Sequence, residues 1–311
     1  MAGSGTGGSE SATRRHGTIA RVWFDGENLV LLLFQALCLA LPAAGVPPWL
    51  RRFRGSLWAL VLPLSIIVVV VAIAEVPETA DALTWVALIG VPIGAALALG
   101  WASHGARWWL APLAAPLLVL AWVVPDEPIG QLATTTLVAG SAITLGRLLA
   151  GAAPLPVLKA GIYAMAAVDA YLVFSGGLQP SNAVLVAAAP GPDLPQLQSA
   201  GYGTWSIGYG DFFAAAVVGA IIATQRGPQL WAAIALIPVS LAWDQLFLVY
   251  STLPATIPPA LVLVGVELTT RRRSVPEDAA QAPPMGSATS TPETRTGSGT
   301  GDGGSSPART P

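Results

Sequence analysis

Two aspartates stand inside apolar runs of this chain. Asp169 lies in Ala166-Ala167-Val168-Asp169-Ala170, and Asp211 in Gly208-Tyr209-Gly210-Asp211-Phe212-Phe213. A carboxylate near the centre of a bilayer costs several kcal/mol by most scales, at least ~2.5, so an acid kept there marks a functional site. Two acids on consecutive apolar segments suggest one shared site. Carboxylates a few ångströms apart cannot both ionise easily, so such a pair holds one proton between them. The ionised member can take a proton from water while the protonated member donates to a carbonyl. That is the chemistry of peptide hydrolysis. A third acid, Asp244, lies in Leu241-Ala242-Trp243-Asp244-Gln245. It is either bonded to a neighbouring helix or a carboxylate that modulates the titration of the pair.

The flanking residues have physical reasons of their own. In a helix, Gly208 would sit one turn before Asp211 and clear that face for a neighbouring backbone. Gly210 loosens the chain beside the acid and admits a close approach. Alone, Gly-x-Gly-Asp is a weak signal, because the chain carries 33 glycines. Its place in a span that follows another acid-bearing span is what gives it weight. A proline-rich stretch, Leu253-Pro254-Ala255-Thr256-Ile257-Pro258-Pro259-Ala260-Leu261, opens the last apolar segment. Prolines there free backbone groups at membrane depth, tolerable only where they face protein or a cavity.

The elements that must position these residues are membrane helices. Only 10% of the 311 residues are charged, against about 25% in a soluble domain. Mean hydropathy is +0.63. Crossing the hydrocarbon takes about 20 apolar residues as helix. The expected fold is all-α and polytopic, with about nine spans near 27–46, 56–75, 80–101, 108–124, 129–150, 155–175, 203–224, 229–250 and 252–269. Turn and charge chemistry marks the breaks: Pro47-Pro48, Glu75 to Glu78, Pro125 to Pro128 and Gly227-Pro228. Residues 1–21 form a leader expected to be disordered, with no cleavable signal peptide. Residues 22–273 form the membrane domain. Residues 274–311 are rich in Gly, Ser, Thr and Pro and are expected to be disordered. The long connection 176–202 holds a short apolar run, 183–189, read as an interfacial strand or re-entrant piece. No internal repeat stands out.

In this frame Asp169 lies about 9 Å before the end of the sixth span, and Asp211 about 12 Å after the start of the seventh. The depths match. Charge sets the orientation. Arg51, Arg52, Arg54, Arg107, Arg147, Lys159, Arg226 and Arg271 to Arg273 fall on one side, against Arg14, Arg15 and Arg21 on the other. This predicts a cytoplasmic C-terminus and an outside N-terminus in the cell membrane. Trp108, Trp109, Trp231 and Tyr250 read as interfacial belt residues, and Lys159 and Glu267 as residues near span ends.

Composition also excludes classes. Cys38 is the one cysteine, and His16 and His104 are the two histidines. Intramolecular disulfides are excluded, and neither a metal site nor a cofactor is expected. No basic patch interleaved with aromatics points to nucleic acid.

An aspartate in span six, G-x-G-D in span seven and P-A-L opening span nine resemble the presenilin and signal peptide peptidase family of intramembrane aspartyl proteases. The resemblance covers roughly 155–268 by motif. It implies catalytic roles for Asp169 and Asp211 on helices 155–175 and 203–224. It implies a site-shaping role for Gly208, Tyr209, Gly210 and a P-A-L-like turn within 253–261. Val168 stands where the family usually has Tyr, and Tyr209 where it commonly has Leu. Pro254-Ala255-Thr256 fits the position of the turn, with Thr for Leu, while Pro259-Ala260-Leu261 matches literally. Prepilin peptidases also use G-x-G-D, but usually with a basic residue soon after it, unlike Phe212-Phe213-Ala214. The implied partners are the lipid bilayer and a transmembrane peptide substrate, such as a remnant signal peptide. The segment 176–202 is a candidate strand partner for an unwound substrate. Two other functions fit the same acids: a proton-coupled transporter using Asp169, Asp211 and Asp244 as a relay, or an inactive relative that binds membrane segments.

Overall fold

The computed structural model describes residues 26–45, 52, 54–191, 193–250 and 252–280. The leader, residues 1–21, and the last part of the tail, 281–311, lie outside them. The described residues form ten α-helices and one small hairpin. In chain order they are α1 (Gly26–Ala40), α2 (Val61–Glu75), α3 (Thr79–Leu97), α4 (Ala114–Val123), α5 (Pro128–Ala152), α6 (Leu155–Phe174), α7 (Leu178–Ala187), β1 (Ser199–Tyr202), β2 (Trp205–Gly208), α8 (Tyr209–Thr224), α9 (Gln229–Asp244) and α10 (Ile257–Ala280). Short 3₁₀ turns lead into α2 and α4 and follow α9, and a π turn, Ala98–Ala102, extends α3.

The molecule is mostly helical, as an all-α membrane protein requires. Among the described residues, five helices are long and apolar enough to cross a membrane: 56–75, 79–102, 128–152, 155–174 and 229–248. Four more apolar helices, 26–40, 108–123, 209–224 and 257–270, are shorter. Large apolar side chains such as Val68, Ile89, Trp109 and Trp231 point away from the protein interior. That suits a surface bathed in lipid.

Small residues hold the centre together. Helix α5 carries Thr, Ser, Gly and Ala along much of its length and is largely buried. Helix α8 is buried along nearly its whole course from Phe212 to Ala223. A Cβ added to Gly146 of α5 would come 2.7 Å from the Ala216 carbonyl carbon of α8, too close for any side chain. One added to Gly219 of α8 would come 2.8 Å from Leu39 Cα of α1, and one on Gly94 of α3 would come 2.9 Å from Ser141 Cα of α5. Thr144 of α5 also donates 2.7 Å to the Gly94 carbonyl. Lipid tails are as apolar as leucine, so helices in a bilayer gain little from burial and associate through close backbone approach and hydrogen bonds.

Three expectations change. The run 183–189 is not a strand: residues 178–187 form α7, whose Ser181 donates 3.1 Å to the Val70 carbonyl of α2. The seventh span does not begin at 203. Residues 199–208 fold as an antiparallel hairpin pairing Ser199 with Gly208 and Tyr202 with Trp205, and helix starts only at Tyr209. Gly203 takes φ +61° in the two-residue loop, a first central position that favours glycine in a type II′ turn. Glycines at 201, 203, 208 and 210 disfavour helix, and alternation of Trp205 and Ile207 with Ser206 and Gly208 favours strand. The third change concerns the tail. The chain divides near Arg271, and helical backbone continues to Ala280, past the boundary drawn at 273. Extending an existing helix is far easier than nucleating one, and composition alone does not register that.

Candidate active site

Asp169 and Asp211 come from adjacent helices at one end of the bundle. Asp169 sits five residues before the end of α6, about 7.5 Å along the axis. Asp211 is the third residue of α8, about 3 Å from its start. The depth match is therefore looser than the expected 9 and 12 Å, because the hairpin replaces the first turns of the seventh span. The two carboxylates still lie within electrostatic reach of each other.

Asp169 is buried. Its Oδ2 accepts two bonds from Thr256: 2.6 Å from the hydroxyl and 3.3 Å from the backbone N–H. Thr256 belongs to a non-helical turn just before α10, and Trp243 of α9 holds that turn by donating 3.1 Å to the Pro254 carbonyl. Pro254 and Thr256 are buried, and Ala255 is half-buried. Pro259-Ala260-Leu261 lies inside α10, with Leu261 exposed. Of the two candidate turns, Pro254-Ala255-Thr256 is the one brought to the acid. A second clamp runs down the same helix pair, with Lys159 of α6 2.7 Å from Glu267 of α10. Helices α6 and α10 are thus tied antiparallel at two points.

Asp211 is half-buried, at the other side of the site. Gly208 is the N-cap of α8, with extended backbone at φ −69° and ψ 155°. The Gly208 backbone faces the Asp211 carboxylate from the N-cap position, the placement of half a capping box. The expectation that Gly208 clears a helix face is corrected. It precedes the helix, and a Cβ there would meet only Asp211 Oδ2, at 3.6 Å. Gly210 is exposed, and a Cβ there would touch nothing within 4 Å. It leaves bare backbone beside the acid. Tyr209 turns away from Asp211 and shares a 2.9 Å hydrogen bond with Ser141 of α5, pinning the start of α8 to the central helix.

The hairpin leads straight into the acid. The Tyr209 N–H donates 3.2 Å to the Gln198 carbonyl, carrying the ladder one step past β2. The hairpin tip is held by two helices. Glu27 of α1 accepts from Thr204 N–H at 2.8 Å and from its hydroxyl at 3.0 Å, and Gln131 of α5 accepts from Gly203 N–H at 2.9 Å. Trp205 of β2 meets Phe247 edge to face at 6.5 Å.

Asp244 is placed elsewhere. Its Oδ2 accepts 2.9 Å from Asn28 Nδ2, tying the end of α9 to the start of α1. Its partner is a neighbouring helix, the contact that the first of the two readings expects. Trp243, Ser141, Glu27 and Gln131 hold the turn and the hairpin beside the two aspartates and were not singled out in the sequence. Their only signal there is polarity within or beside apolar segments. Among the described residues, no group of three or more His, Cys, Asp or Glu could hold a metal ion. No family model, no curated protein and no solved structure matches this chain.

Proposed function

We propose that this chain is an intramembrane aspartyl protease of the presenilin and signal peptide peptidase type, with Asp169 and Asp211 as its catalytic pair. The observation that carries the reading is the pair itself: two intramembrane acids on adjacent helices, at one end of a bundle, with carboxylates within electrostatic reach. Two further features fit it. The Pro254-Ala255-Thr256 turn donates to Asp169, and a strand feeds directly into Asp211. In this reading the four short apolar helices also cross, giving nine spans, the N-terminus is outside, and the C-terminus is cytoplasmic.

The reaction follows from the pair. The ionised aspartate takes a proton from a water molecule, and the oxygen of that water attacks the scissile carbonyl carbon. The protonated aspartate donates to the carbonyl oxygen. Collapse of the tetrahedral intermediate breaks the C–N bond and returns a proton to the leaving amine. A helical substrate has its carbonyls bonded and shielded, so it must unwind locally. The hairpin 199–208 takes the role of strand partner from 176–202 as a whole, since the paired strands among the described residues are 199–202 and 205–208. Substrates with a cytoplasmic N-terminus, such as remnant signal peptides, fit the orientation.

The test is hydrolysis of a panel of labelled signal peptides by the purified full chain. Wild type is expected to cleave, and D169A and D211A to fall to background while remaining folded. Near wild-type turnover in either variant overturns the pair. Substrate-dependent proton flux without cleavage favours the transporter instead.

A further inference from the structure

At the opposite end of the bundle a cavity of about 240 Å³ opens among Gly45, Arg54, Arg147, Gly151, Ala220 and Thr224. This is smaller than the ~300–1,000 Å³ typical of pockets for drug-sized ligands. It has room for a small polar group and not for a peptide. Arg147 forms one wall and is buried. Its Nε donates 2.9 Å to the Gly45 carbonyl, Nη2 donates 3.5 Å to Ala44, and Nη1 donates to the Trp101 carbonyl. The guanidinium carbon lies 3.9 Å from the Trp101 ring centroid. These groups orient the cation without neutralising it. Among the described residues no carboxylate pairs with Arg147 or Arg54, and the cavity lining contains no acid. A buried charge ordinarily needs a counter-charge.

A guanidinium carries five N–H donors, so two of those on Arg147 remain uncommitted. Thr224 spends its hydroxyl proton on the Ala220 carbonyl, 2.8 Å away. The donors facing the cavity are therefore arginine N–H groups, whose fork suits phosphate oxygens. Arg54 is exposed at the mouth, and the next residue fixes its backbone: Gly55 N–H donates 3.0 Å to the Ala152 carbonyl. Leu57 and Trp58, exposed apolar side chains, follow at once.

We propose that this cavity binds a phosphate-bearing anion, either the headgroup of an anionic lipid or free phosphate. Leu57 and Trp58 beside the mouth favour the lipid, because they offer its acyl chains an apolar surface. The site is independent of the proteolytic reading and lies away from the aspartates.

Thermal unfolding of the purified full chain in neutral detergent micelles tests it. Phosphatidylglycerol is titrated against phosphatidylcholine, and inorganic phosphate against chloride at matched ionic strength. Phosphatidylglycerol is expected to raise Tm saturably. R54Q is expected to weaken that apparent affinity about ten-fold, the loss of one charge-assisted contact. Arg54 is exposed, so folding is not at stake. R107Q, an exposed arginine of the same end outside the cavity, should respond as wild type does. A response to phosphate equal to that to the lipid, lost in R54Q, assigns the site to free phosphate. No saturable response to either, or equal losses in R54Q and R107Q, overturns the proposal.

Discussion

At the scale of single residues, the site rests on hydrogen bonds that a few substitutions isolate. Thr256 gives Asp169 both its hydroxyl and its backbone N–H. T256V keeps the shape and removes the hydroxyl donor. Hydrogen bonds to charged groups contribute about 1.5–3 kcal/mol, so kcat for signal-peptide hydrolysis is expected to fall at least about ten-fold. T256S should restore most of it, a rescue that loss of packing alone would not show. Asp244 gives the opposite pattern. D244A strands Asn28, and leaving a buried group unpaired costs about 1–3 kcal/mol. Its thermal midpoint should drop, while the pH profile of hydrolysis keeps its shape. A profile displaced along the pH axis in a folded Asp244 variant would bring that acid back into the reaction. The sequence carried the two aspartates clearly, since an acid in an apolar run stands out. It named Thr256 in the turn but not its bond to Asp169, nor the holds of Trp243 on Pro254 and Ser141 on Tyr209, because these residues meet only through the folded chain.

At the scale of elements, glycines divide into two kinds. Gly146 and Gly219 lie where another helix backbone leaves no room for a methyl group. Overpacking of this sort costs about 1–3 kcal/mol, and backbone cannot swing aside as a side chain does. G146A and G219A are each expected to lower the thermal midpoint in detergent. Gly210 has open space around it, so G210A should leave stability within about 0.5 kcal/mol. If bare backbone there admits substrate, G210A loses turnover without losing stability. Measuring both quantities on the three variants separates packing from access. The helices themselves were legible from length and hydropathy, and their observed ends fall within a few residues of most expected spans. The expected seventh span starts too early because the apolar count takes Trp205 and Ile207 as helix. The alternation of these two and the glycines around them belong to a hairpin.

At the scale of the whole molecule, the positive residues Arg54, Arg107 and Arg226 gather at the end away from the aspartates. Orientation can be read directly. In a C38S background, E78C and R107C place one exposed thiol at each end of the bundle. A membrane-impermeant thiol reagent on intact cells should label E78C alone. Labelling of R107C alone would invert the protein and put the aspartates on the cytoplasmic side. Charge placement was readable along the chain. The arginine-lined cavity was not, because Gly45, Arg54, Arg147 and Thr224 converge only after α1, α5 and α8 have packed. The bond between Asp169 and Thr256 joins residues 87 positions apart. A ribosome adding about 5–20 residues per second needs roughly 4–17 s to synthesise that interval. For that time the nascent chain holds its first aspartate in place with no partner turn. Only the arrival of the final helix completes the pocket. Synthesis order thus acts as a timer: a chain stalled before Thr256 lacks the turn that binds Asp169, so under the proposed reading the site stays silent while the chain's own hydrophobic segments are still emerging.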